Sequence, residues 1–309
     1  MPHPKALFGA LITGFTLIAV LGGCARASLP ASNPGESQMS PFKHIHGLAF
    51  DSVAGYGLAA THEGLYRFSL TGTTAITPAK VGEPQGGIRD DFMGLTSFES
   101  TLYASGHPGS THKSSGPNLG LRQSTNAGVS WSSVSETSTA DYHALTVGKD
   151  DSGRAVIYGL DTAFAGISFS VNGGRRWTKG AALAARDIVA DPTLAKTVYA
   201  TTQSGLLVSR DLGHTFSPVP NAPMLYILAA VPNVAIGSLI GIDVEGTVWL
   251  KPSALPGAAL PWQKTGTVTG QANAIAFSST TDSELLVSDQ SGIALSKNLG
   301  ATWRVVVSP

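Results

Sequence analysis

Five histidines sit in, or directly after, short apolar runs of the kind that build β-strands. His44 and His46 belong to HIHGLAF (44–50), His62 follows YGLAAT (56–61), His107 follows TLYASG (101–106), and His143 lies in DYHALTVG (141–148). An H-x-H pair on a strand points both rings to one side, because side chains alternate along it. Imidazole suits zinc, copper, nickel and iron, and a thioether beside it leans toward copper. Met93, in DFMGLTSF (91–98), is placed to add one. Asp91 and Asp141 open two of these runs. Either could be a ligand, or the carboxylate that fixes a ring's tautomer from behind. The expected metal set is His46, His143 and His44 at its core, closed by His62 and His107, with Met93 as an optional soft ligand and copper or zinc as the ion. No fixed-spacing signature such as H-E-x-x-H is present, so this reading depends on where the fold brings the residues.

The same region carries carboxylates. Cleavage of a glycosidic bond needs two carboxyl groups about 5–10 Å apart, and Asp91, Asp141 and Glu63, with Asp161, could supply them. A polar side chain in a water-filled channel is also commonly held by hydrogen bonds alone. One histidine there says little; a one-sided set of five out of 8 says more.

The elements that must position these residues recur. Apolar first strands read HIHGLAF, DFMGLTSF, DYHALTVG, ARDIVAD, LYILAAV and NAIAFSS. Each is followed by a second run such as TVYATT or ELLVSD, then a glycine turn and a third run such as GLLVS or GIALS. Six such units fill 44–309, and no long segment has a helical period. A repeat of roughly 40–50 residues in β-type letters is the mark of a propeller. The fold expected is all-β, a six-bladed β-propeller of four-stranded blades.

Four units end the third run in one phrase: STNAGVSW (124–131), SVNGGRRW (170–177), SRDLGHTF (209–216) and SKNLGATW (296–303). The Asp or Asn folds back onto the turn's N–H groups, the glycine takes positive φ, and the aromatic packs between blades. The phrase resembles the Asp-box, or BNR repeat. That resemblance implies a propeller whose boxes lie on the rim between strands three and four, away from the functional face. Asp-box propellers include sialidases and other glycoside hydrolases, sorting-receptor ectodomains and photosystem assembly factors, so architecture alone does not choose an activity. The chain departs from the sialidases: their R-I-P motif is absent, and only Arg89 and Arg186 align near the mouth.

In a propeller the first strands line the central channel. Alignment of the units places His46, Met93, His143, Arg186, Tyr226 and Asn273 at one channel level, with His44, Asp91 and Asp141 two residues earlier. At the turn after strand two come His62 with Glu63, His107, Asp161, Gln203, Asp243 and Asp289. All five histidines therefore fall at one mouth, on blades one to three.

Lys5, the apolar run 6–20 and LGGC at 21–24 resemble a bacterial lipoprotein leader. They imply a signal peptide over 1–23, a lipidated Cys24 beginning a Ser/Pro/Ala-rich tether over 24–42, and a propeller over 43–309. The implied location is the cell envelope, outside the cytoplasm, with the membrane as partner through the lipid. Cys24 is the single cysteine, which excludes disulfides and zinc–thiolate sites. Lys+Arg and Asp+Glu are equal at 20 each, leaving no basic excess for nucleic acid. The function expected is binding of a small ligand or transition metal at the histidine-rich mouth. A sialidase-like glycoside hydrolase at the same mouth, taking a glycan, and an assembly or receptor scaffold are the alternatives.

Overall fold

The computed structural model describes residues 44–51, 55–71, 79–80, 90–109, 116–135, 140–232, 238–252, 260–278, 280–281 and 283–309. The expected leader, Cys24 and the tether lie outside them, as does the expected propeller start at residue 43. No helix among the described residues is long and apolar enough to cross a membrane.

The described chain forms six antiparallel sheets of four strands, each made of strands consecutive in sequence. The innermost strands are Ile45–Phe50, Asp91–Phe98, Tyr142–Lys149, Ala185–Ala190, Leu225–Ala230 and Ala274–Phe277. Each touches the next, and the sixth touches the first, closing a ring. The architecture is the six-bladed propeller expected from the repeats.

Burial explains the letters. Second strands such as AVIYGLD (Ala155–Asp161) and YGLAAT (Tyr56–Thr61) are covered on both faces by neighbouring blades, so they read as continuous apolar runs. Outer strands such as TKGAA (Thr178–Ala182) and QKTGT (Gln263–Thr267) face water and are polar and small. The core is correspondingly divided into six clusters, one at each blade–blade interface. Between blades one and two, for example, Leu58 and Leu65 pack on Phe92, Leu95 and Leu102. Blades six and one meet through Leu286, Ile293 and Val307 against Ile45 and Phe68. Arg304 also donates from Nη2 to the Leu70 carbonyl at 2.5 Å across this junction.

The repeated phrase builds one turn four times, between strands three and four of blades two, three, four and six. In the last copy Ser296 Oγ donates to Asn298 Oδ1 (3.0 Å) and accepts the Gly300 N–H (2.9 Å), while Asn298 Oδ1 accepts the Thr302 N–H (2.9 Å). The copies at Ser124, Ser170 and Ser209 repeat these bonds. Gly300 has φ +82, and a Cβ there would stand 2.7 Å from Val248 of the preceding blade. The turn thus closes its own blade and docks on its neighbour.

Five blades share a second irregularity. The pairing of strands one and two slips by one residue between Ile45 and Gly47, Phe92 and Gly94, Tyr142 and Ala144, Ala185 and Asp187, and Leu225 and Ile227. The residue left over in each case is His46, Met93, His143, Arg186 or Tyr226. A β-bulge re-aims the side chain it carries, and here it does so at the channel level in one blade after another.

Candidate metal centres at the channel mouth

The five histidines gather at one mouth, and the structure distributes the donor atoms of four of them over two groups. In the first, the Nε2 atoms of His46 and His62 stand 3.2 Å apart, and His62 Nδ1 lies 2.8 Å from Asp91 Oδ2. His46 and His62 come from blade one and Asp91 from blade two. In the second, Asp141 Oδ1 lies 3.1 Å from His143 Nε2 and 3.8 Å from His107 Nε2. His107 comes from blade two, Asp141 and His143 from blade three. Within each group one potential ligand atom per residue lies within 4.8 Å of the others.

Supporting contacts orient these side chains. His107 Nδ1 stands 3.1 Å from Asn118 Oδ1. A proton on Nδ1 would serve both this acceptor and the Pro117 carbonyl, 3.4 Å away, and would leave Nε2 on the side of Asp141. Thr162 Oγ1 donates to Asp141 Oδ2. The buried Asp161 accepts the Asp141 N–H (3.2 Å) and the Ala163 N–H (3.1 Å), holding the turn. Three atoms at the mouth are shielded from water and make no hydrogen bond of good geometry among the described residues: Asp91 Oδ1, and Asp141 Oδ1 and His143 Nε2, which face each other. Burial, reinforced by neighbouring His62, lowers the His46 pKa from 6.5 to about 4, so its ring is neutral near pH 7.

The other expected residues are placed as follows. His44 is exposed and outside both donor groups, its ring edge-on to His62 at 5.4 Å. Met93 is the half-buried bulge residue of blade two, the blade between His46 and His143. Glu63 is exposed and belongs to neither group. Strand pairing sets Asp161 opposite Tyr142 and Thr61 opposite Ile45, so the counterpart of His62 and His107 in blade three is Thr162, one residue beyond the alignment made from sequence. Thr162 and Asn118 were not identified from the sequence. Thr162 was reachable once the register was known; Asn118 comes from a loop with no counterpart in the other units.

Both groups border one channel cavity of about 440 Å³, reached by His46 and His143. Its far side carries Arg186, whose guanidinium lies 4.7 Å from the Tyr226 ring centre and whose Nη2 is 3.5 Å from the Asn273 carbonyl. Asp187 also lines the cavity and accepts the Leu228 N–H of the next blade at 3.0 Å; burial pushes its carboxyl pKa up. The histidines of the mouth thus stand over blades one to three, while Arg186, Tyr226 and the Asn273 carbonyl meet over blades four to six.

No protein-family model matches the sequence, and no curated protein matches it. Solved structures resemble its fold. One is a chain of the nidogen/laminin complex, with a TM-score of 0.58 and 13% identity over 82% of this chain and 93% of that one. Another is the GH74 enzyme of Niastella koreensis, with a TM-score of 0.54 and 16% identity over 84% of this chain. This chain spans 45% of the GH74 chain. A structure of YCF48 bound to D1 peptide aligns at a TM-score of 0.47 and 15% identity, over 86% of this chain and 83% of that one. At these identities the likeness is one of architecture, the β-propeller, and activity must be argued from the site.

Proposed function

We propose that this propeller binds a first-row transition-metal ion, zinc or copper, at its channel mouth through imidazole and carboxylate donors of blades one to three. The carrying observation is the spacing of the donor atoms. Two ligand atoms on one tetrahedral zinc, each about 2.0–2.1 Å from it, stand roughly 3.3–3.4 Å apart. His46 and His62 Nε2 are 3.2 Å apart, and His143 Nε2 and Asp141 Oδ1 are 3.1 Å apart. Asp141 Oδ1 and His143 Nε2 are buried and face each other without hydrogen-bond geometry among the described residues, an arrangement that an ion between them would satisfy. Behind the donors, Asp91 on His62 Nδ1 and Asn118 on His107 Nδ1 have the geometry that fixes a ligand ring from its far side.

The test is the metal content of the purified full chain, with titration of the metal-free protein by Zn²⁺ and Cu²⁺, beside a His46→Ala/His143→Ala variant. Submicromolar binding that weakens at least tenfold in the variant is expected. Absence of bound metal and of affinity for either ion overturns the reading. Turnover of a glycoside panel that is lost in Asp141→Asn and indifferent to chelator would assign the mouth to carboxylate chemistry instead. The leader-like residues support a further part of the proposal, that lipid on Cys24 holds the protein at the cell-envelope membrane. Lipid labelling that persists in Cys24→Ser would refute that part.

A further inference from the structure

We infer that the mouth holds two divalent transition-metal ions, one in the cleft between blades one and two and one in the cleft between blades two and three. This rests on the metal-binding reading above and sharpens it from a site to a pair of sites. The pairing of strands one and two makes the case. His62 follows Thr61, which is opposite Ile45; His107 follows Gly106, which is opposite Phe92. The two histidines are therefore one position on successive blades. Asp91 immediately precedes Phe92, and Asp141 immediately precedes Tyr142, the residue paired with Asp161 in the next blade. They too are one position on successive blades. Each cleft thus brings a histidine from the end of one blade's second strand to an aspartate at the start of the next blade's first strand.

The pair occurs twice and then stops. At the third cleft the corresponding residues are Thr162 and Ala184. In both complete clefts a bulge histidine joins the pair, His46 in the first and His143 in the second. The bulge residue of the shared middle blade is Met93, which separates the two sets along the ring. The second set offers two imidazoles and one carboxylate, enough for three of the four positions of a zinc ion, and the first offers two imidazoles with Asp91 bracing His62 at Nδ1; His46 and His143 carry both sets to one cavity. A single ion at the centre of all five rings would not match this division, because each aspartate lies close to the rings of one cleft.

Stoichiometry decides the matter. Metal-free full-length protein is titrated with Zn²⁺ by calorimetry, and bound zinc is counted after desalting. Two ions per chain are expected, falling to one in His62→Gln, one in His107→Gln and none in the double variant. The His62 and His107 side chains are 49% and 37% exposed, so these changes spare the core. Matching melting curves of the metal-free variants check that. One ion per chain in the wild type, lost in either single variant, overturns the two-site inference and leaves metal binding standing. Two ions retained in either single variant also overturns it. No ion in the wild type removes both readings.

Discussion

At the scale of single residues, His46 is the most constrained group of the mouth. Desolvation and the neighbouring His62, His44 and His143 rings disfavour its charged form, and Asp91 offsets only part of this, leaving a pKa of about 4. Its pKa is depressed from 6.5, so the folded state refuses a proton that the unfolded chain accepts as pH falls below that value. The stability this group contributes is complete above pH 6.5 and is lost as pH falls through about 4. Denaturant melts of the metal-free protein are therefore expected to lose stability between pH 6.5 and 4, and His46→Gln should lose less. Equal losses would show that other groups control the acid limb. The residue types of the mouth were legible because imidazoles interrupt runs that are otherwise apolar. Their division into two groups was not. It depends on which ring of one blade reaches which carboxylate of the next, and no spacing within a blade encodes that. Asp161 shows the cost of reading without register: one residue of offset turns an expected mouth carboxylate into a buried clamp on the Asp141 backbone.

At the scale of elements, two local devices do most of the positioning. The repeated turn was readable almost letter by letter, since Ser, Asn or Asp, and Gly each have one geometric task within eight residues. Its docking on the neighbouring blade was not, because the contact partner lies in another repeat. Gly300 joins both roles. At φ +82, with Val248 Cγ1 2.7 Å from any added Cβ, alanine must strain its own backbone and push the preceding blade. Gly300→Ala is expected to cost about 1–3 kcal/mol, the range of overpacked cores, read as a lower urea midpoint at unchanged slope. A neutral result would mean that blade five yields there. The second device, the bulge, leaves no signature in composition. It surfaced in the sequence only as a set of polar or bulky residues at one aligned level, His46, Met93, His143, Arg186 and Tyr226. The pairing slip explains why these side chains sit at that level.

At the scale of the whole molecule, blade count and ring architecture followed from the repeats, and the six interface cores follow from the ring. Internal blades are joined to both neighbours by the chain. Blades one and six meet without a shared strand among the described residues, through packed side chains and the bond from Arg304 to Leu70. Opening there disrupts one interface core and breaks no chain connection, so backbone amides of blades one and six are expected to exchange with solvent faster than those of blades three and four. Uniform protection around the ring would contradict this. The first donor group draws His46 and His62 from blade one and Asp91 from blade two, one blade away from that junction. The propeller is in effect a split collar with its cut beside the clasp. An ion that fastens blade one to blade two would also take up slack at the cut, and a collar left unfastened would loosen there first.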